Sequence, residues 1–311
     1  MSADTAPDAG ATASGGRFVN SVSLESVLAI AKKDFQDAVR SWLFMGLSAF
    51  FFLLLVTMTG LLAYFEGDVI IGQEATTAVL VERVFSIGSL VIPVIALVLG
   101  WKAIAGERES GSIKILLSLP HSRTDVVVGK LLGRSAVLSL SLLIGFVLAA
   151  LPVAALLGTF DVTDYVGLLL VSVLYGVAYT ALAITVSTLI RSTTLAAAAA
   201  FGVFVLFYVV WPAAVFAAVL LVVFEYLPDS ELVAELLMLF QSLNPNAAYG
   251  NVLSLVTSVA ELDDESVAQL EAMFDGTIPF YLQDWFALVV LLAWIAIPIA
   301  IAAYRFDRVD L

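Results

Sequence analysis

Six long, predominantly apolar stretches divide this chain, at about residues 42–65, 84–101, 126–157, 165–190, 195–224 and 285–304. A helix needs about 20 such residues to cross the hydrocarbon core of a bilayer. Composition agrees: 13% of the residues are charged and 61% hydrophobic, with a mean hydropathy of +1.04, whereas a soluble domain carries roughly 25% charged residues. The pattern predicts an all-α integral membrane protein with six transmembrane helices. Pro93 is expected to bend the second span. The first turns of the third, with Lys130 and Arg134, are expected to project into the cytoplasm. The fifth run is longer than a bilayer needs and is interrupted at Trp211-Pro212, so it either kinks there or continues as a second, shorter helix.

Charge fixes the orientation. The polar stretch from Trp101 to Arg134 holds six of the fourteen basic residues, Lys102, Arg108, Lys114, Arg123, Lys130 and Arg134. Basic loops between spans stay in the cytoplasm. Counting inward from that loop puts thirteen of the fourteen basic residues on one side, with Arg83 the exception. Both termini are then cytoplasmic, and residues 225–284, with eleven acids and no Lys or Arg, lie outside. Residues 1–22 read as a disordered cytoplasmic tail and residues 23–311 as one six-span domain. Residues 24–40 have apolar positions at helical spacing, Leu24, Val27, Leu28, Ala31, Phe35, Ala38 and Val39, and read as a helix in the membrane interface with its charges toward water. Residues 225–284 read as a helical extracytoplasmic region, with a helix over Ser230–Leu243 capped by Asp229 or Ser230, an apolar helix over Ala247–Val259 and a more polar one over Glu261–Phe274. The net charge of −13 and the acid-rich outer face suggest a surface solvated in high salt, hence a halophilic source; a cation site is the alternative.

Within the central stretch, Ile113, Leu116 and Leu117 share one helical face in a segment too short to span a membrane. Pro120 ends it, and Ser122-Arg-Thr-Asp125 reads as a capping box that opens the next helix. An apolar-faced helix just inside the membrane reads as a docking element for a cytoplasmic partner. Glu107 and Glu109 either balance Arg108 and Lys114 at the surface or take a coupling role, and Gly106 and Gly111 let the backbone bend on both sides of them.

Other chemistry is scarce. No G-x-x-x-x-G-K-[ST] segment cradles ATP phosphates. The sequence has no cysteine and one histidine, His121, which reads as a turn residue. The spans carry no charge at mid-depth of the kind that ion-coupled carriers use. We therefore expect no catalytic residue, no metal site, no cofactor and no nucleic-acid partner. The hydroxyls in the fourth span, Tyr175, Tyr179 and Thr180, either glue helices together or line a translocation path.

Gly106-Glu107-Arg-Glu109-Ser-Gly111-Ser112, then Leu116-Leu-Ser-Leu-Pro120, then Gly129-Lys130 resembles the first cytoplasmic loop of type-2 ATP-binding-cassette exporter permeases. Ile30-Ala-Lys-Lys-Asp34 through Arg40 and Leu243-Asn244-Pro245 agree, and the nearest likeness is to the six-span permease of nitrous-oxide reductase maturation systems. Ser112 stands where Thr is commoner. The resemblance implies a transporter membrane subunit of the plasma membrane, without an ATPase site of its own. It implies a separate cytoplasmic ATPase subunit, pairing with a second copy or a related permease, and an elbow helix before the first span. It makes Ile113–Leu119 the coupling helix and gives ATPase coupling to Glu107, Glu109, Gly111, Ile113, Leu116, Leu117 and Pro120. The other reading is a non-transporting membrane scaffold that recruits a partner through its acidic outer region.

Overall fold

A computed structural model describes residues 23–65, 76–113, 122–157, 159–228, 230–259, 274 and 278–308. These run as α1 (Leu24–Val39), α2 (Trp42–Tyr64), α3 (Thr77–Gly100), α4 (Ala105–Glu109), α5 (Arg123–Leu156) and α6 (Val162–Leu189). Then follow α7 (Thr193–Val205), a π-helical turn (Leu206–Val210), α8 (Trp211–Val223), α9 (Glu231–Ser242), α10 (Pro245–Val256), a short 3-10 turn (Phe280–Leu282) and α11 (Asp284–Asp307). Among the described residues an isolated bridge between Thr76 and Thr159 is the single departure from helices, turns and loops. Six helical runs are long and apolar enough to cross a membrane, as the apolar stretches predict. The tail (1–22) and the helix expected over Glu261–Phe274 lie outside the described residues, apart from Phe274.

The helix that carries the second span begins at Thr77, ahead of the apolar stretch that starts near residue 84. Hydropathy drops at Glu82 and Arg83, but these sit half-exposed, 3.8 Å apart, while Leu80 and Val81 on the inner face are fully buried. Thr76 caps the start, its side chain accepting from the Val79 N–H. The fifth span does not split at Trp211-Pro212. Pro212 has no N–H, and its ring crowds the carbonyl four residues back, which falls at Tyr208 inside the π turn. A π turn absorbs such a misfit without ending the helix.

α6 is the centre of the bundle, with α3, α5, α10 and α11 packed around it. In its most apolar window 67% of residues are buried, against 6% for the fifth span, α7–α8. α2 lies along α5 on the periphery. At the acid-rich end α6 is capped by Asp161, which accepts from the N–H groups of Thr163 (2.7 Å) and Asp164 (3.1 Å). Asp164, itself buried, accepts from the N–H and hydroxyl of Ser258, both at 2.8 Å, and so ties the segment after α10 to the fourth span.

The face that α1 buries differs from its expected apolar stripe. Ser26, Val27, Ile30 and Asp34 are its buried residues, while Leu24 is 71% exposed and Leu28 53%. The inner face is chosen by close approach to α5: a Cβ on Gly129 would lie 2.8 Å from the Ile30 side chain, and one on Gly133 would lie 2.9 Å from Asp34 Cβ. Only glycine lets two backbones come that near. Leu24 and Leu28 form a second, outward apolar face. Asp34 and Lys130, expected in water, are 7% and 5% exposed.

Candidate coupling site

The helix caps at the basic end set the geometry. Ser122 and Asp125 form the predicted capping box, at 3.0 and 2.9 Å. The other oxygen of Asp125 accepts from the Ser23 N–H at 3.0 Å, so one carboxylate starts α5 and also fixes the start of α1. The segment after the second span is fastened to the turn between the fourth and fifth. The N–H groups of Ile104 and Ala105 both donate to Ser187 Oγ at 2.9 Å, and Arg108 Nη1 donates to the Thr188 carbonyl at 2.6 Å. Ser192 makes no capping bond at the start of α7. Glu109 Oε2 supplies it from another helix, accepting from the Thr193 N–H at 2.7 Å, where a negative charge suits the positive end of the helix dipole.

Gly111 adopts φ +76°, a left-handed conformation that favours glycine, and it turns the chain so that Ile113 points inward. Ile113 is 2% exposed and packs in a small apolar cluster with Ile30, Ile104, Val126, Ile184 and Phe306. The guanidinium of Arg108 lies 5.1 Å from the centre of the Phe306 ring, a cation–π contact. Arg123 Nη1 donates to the Phe306 carbonyl at 2.7 Å, which anchors the end of the sixth span.

An ion cluster joins three elements beside this cluster. Lys130 Nζ on α5 donates to Glu107 Oε1 on α4 at 2.6 Å and to Asp34 Oδ1 on α1 at 3.2 Å. Arg134 Nε, one turn along α5, sits 2.8 Å from Asp34 Oδ2. The side chains of Lys130 and Asp34 are 6% and 7% exposed, those of Arg134 and Glu107 26% and 27%. Buried charges at these separations interact strongly and are screened little by salt. Removing one leaves the others desolvated. The cluster therefore ties α1, the Gly106–Ser112 motif and the third span together.

The structure brings Glu107, Glu109, Gly111 and Ile113 together at this end. Leu116, Leu117 and Pro120 lie outside the described residues. Ile113 faces the chain's own interior and so anchors the segment rather than offering its side chain to a partner. Tyr175, Tyr179 and Thr180 sit elsewhere and are 0% exposed. Thr180 donates to the Gly176 carbonyl of its own helix. The two tyrosine hydroxyls lie 2.6 Å from Asn246 Oδ1, and Tyr175 stacks on Tyr249 with ring centres 4.1 Å apart. All three side chains are thus packed inside this chain, with no exposed area. Asn246 and Asn244 also donate to the Phe207 carbonyl, at 3.4 and 3.2 Å, within the π turn.

The sequence motifs contain Asp34 and Lys130 but do not show that they pair, and nothing in the sequence pointed to Ser187 or Asn246 as tethering residues. Gly129 and Gly133, four positions apart as in close-packing helix pairs, are the signal in the sequence for where α1 lies. Asp34 and Lys130 are 96 positions apart, and no local periodicity connects them.

The Gly106–Ser112 motif and the six-span bundle agree with comparison to known proteins. Residues 28–311 match the family model described as ABC-2 family transporter protein. The chain belongs to that family. A probable ABC transporter permease protein NosY from Stutzerimonas stutzeri is 30% identical over 289 residues, 92% of this chain and 99% of the relative. A protein of the same description from Pseudomonas aeruginosa is 33% identical over 201 residues, 63% of this chain and 71% of the relative. The protein is thus a multi-pass membrane permease subunit of an ATP-binding-cassette transporter, and its family implies a partner ATPase subunit.

Proposed function

We propose that this permease exports a substrate through a pathway formed with a second permease copy, driven by ATP hydrolysis on a separate subunit docked at the basic end. Three features support the reading: the family membership, the cluster of basic residues at one end, and the Lys130–Glu107–Asp34 network that couples the motif to two further helices. The last carries most of the argument. A load applied to the 106–120 segment reaches α1 through Asp34 and the third span through Lys130, and reaches the fourth and fifth spans through Ser187, Thr188 and Thr193. The ATPase docks on the Leu116, Leu117 and Pro120 portion, with Glu107 and Glu109 as transmitting groups and Gly111 as the fixed bend.

In this reading both termini are cytoplasmic, residues 1–22 form a tail, and residues 225–284 lie outside. The second permease copy packs along the fifth span, whose Leu195, Phe201 and Phe216 are 63%, 67% and 64% exposed. The resemblance to the permease of nitrous-oxide reductase maturation systems points to a sulfur-containing or copper-site precursor as the cargo. The test is to replace the gene with Glu107→Ala in a host that respires nitrous oxide. The ATPase subunit should still co-purify, while nitrous-oxide reductase is made at its usual level but lacks its copper site. A normally loaded reductase would refute the cargo assignment.

A further inference from the structure

We propose that the permease holds one anionic phospholipid of the inner leaflet in the cavity between α1, the start of α2 and the end of α3. The inference goes beyond the transport reading but rests on placing the basic end at the cytoplasmic face.

The cavity measures about 630 Å³, within the roughly 300–1,000 Å³ of small-molecule sites. It is amphipathic in a directional way. Its floor is the Asp34–Lys130–Glu107 cluster with Arg134. Lys33 and Lys102 stand at its mouth, exposed, together with the exposed Asp37; neither lysine makes an ion pair among the described residues, and the lining's four basic side chains, Lys33, Lys102, Lys130 and Arg134, outnumber its three acids, Asp34, Asp37 and Glu107. The opposite edge is apolar: Leu43, at the first turn of α2, is 44% exposed, and Val98, in the last turns of α3, is 55% exposed. Trp101, a residue type that settles at the headgroup level, lines the wall between them.

The site thus offers two exposed ammonium groups on one side and a lipid-facing apolar edge on the other. A soluble anion would use the lysines and leave the apolar edge idle. An apolar ligand would leave the lysines idle. A phosphodiester with acyl chains uses both, its chains running down past Leu43 and Val98 along the outside of α2 and α3. Because Glu107 lines the same cavity and belongs to the proposed transmitting network, lipid occupancy would also steady the junction of α1 and α4.

The experiment uses the full chain, purified in detergent, stripped of lipid, and titrated with phosphatidylglycerol or phosphatidylcholine while bound lipid is counted by native mass spectrometry. One phosphatidylglycerol per chain should be retained and phosphatidylcholine should not. Each lysine near an anionic surface contributes about fivefold in affinity, so the double variant Lys33→Ala/Lys102→Ala should bind about 25-fold more weakly. Its melting temperature without lipid should be unchanged, because both side chains are exposed. Val98→Glu, which puts a carboxylate against the acyl chains, should also weaken retention while leaving both lysines in place. Equal binding by wild type and the lysine variant overturns the proposal, as does equal retention of the two lipids. Displacement by millimolar inorganic phosphate would mark a free-anion site, and loss of lipid on adding the ATPase subunit would mark a protein-docking site; either overturns it. Labelling a cysteine at position 122 from each side of the membrane tests the orientation independently.

Discussion

Replacing Lys130 with methionine removes the charge shared by Asp34 and Glu107 while keeping the length and apolar bulk of the side chain. Taking one partner out of a buried ion pair costs about 3–5 kcal/mol, chiefly because the other charge stays buried. Two features lower that figure here. Asp34 retains Arg134 at 2.8 Å, and Glu107 is 27% exposed, so water partly solvates it. We expect a loss of about 2–3 kcal/mol of stability. Glu107→Gln alone leaves Lys130 on Asp34 and should cost less, about 1 kcal/mol. Because the two side chains share one contact, the double variant should lose less than the sum of the singles, by about 1 kcal/mol or more. Thermal unfolding of the four proteins in one detergent, followed by tryptophan fluorescence, measures the cycle. Wild-type stability in Lys130→Met, or effects that simply add, would refute the claim that these charges bind α1, α4 and α5 into a unit.

Three further outcomes follow from the packing. Gly129→Val should destabilise by about 1–3 kcal/mol, because its Cβ would meet the Ile30 side chain at 2.8 Å and the Val27 carbonyl at 3.0 Å; limited proteolysis should then cut near α1 first. Asn246→Ala leaves the Tyr179 hydroxyl without the acceptor it had at 2.6 Å, whereas Tyr175 keeps the Ser89 carbonyl at 3.0 Å; a melting shift equivalent to about 1–2 kcal/mol is expected. For the proposed orientation, a cysteine at Ser230 in whole cells should react with an impermeant reagent and one at Ser122 should not; labelling of position 122 from outside would reverse it.

Much of the fold was legible because membrane spans are written in composition: a run such as Trp42–Tyr64 needs no tertiary information to be recognised. Caps were legible for the same local reason, as Ser122 and Asp125 show. The start of a helix was less legible where charged residues sit on its outer face, at Glu82 and Arg83. The Gly106–Ser112 motif was visible, but its connections were not. Glu109 caps a helix that begins 84 positions later, and Asp34 is buried because two glycines on α5 admit it. A charge on an interfacial helix looks the same in sequence whether it meets water or a lysine. The tyrosine pair was visible at its spacing of four, yet its shared acceptor, Asn246, belongs to a different helix.

The central claim is that the 106–120 segment transmits work from a docked ATPase, and co-purification tests it most directly. Leu116→Asp places a carboxylate on the proposed docking face, where desolvation without a partner is costly. Losing the apolar contact costs about 1–3 kcal/mol as well. Lys114→Ala, off that face, is the control. The account predicts that Leu116→Asp inserts and folds normally but fails to bring down the ATPase subunit, while Lys114→Ala brings it down in full. A full complement of ATPase on Leu116→Asp would contradict the account.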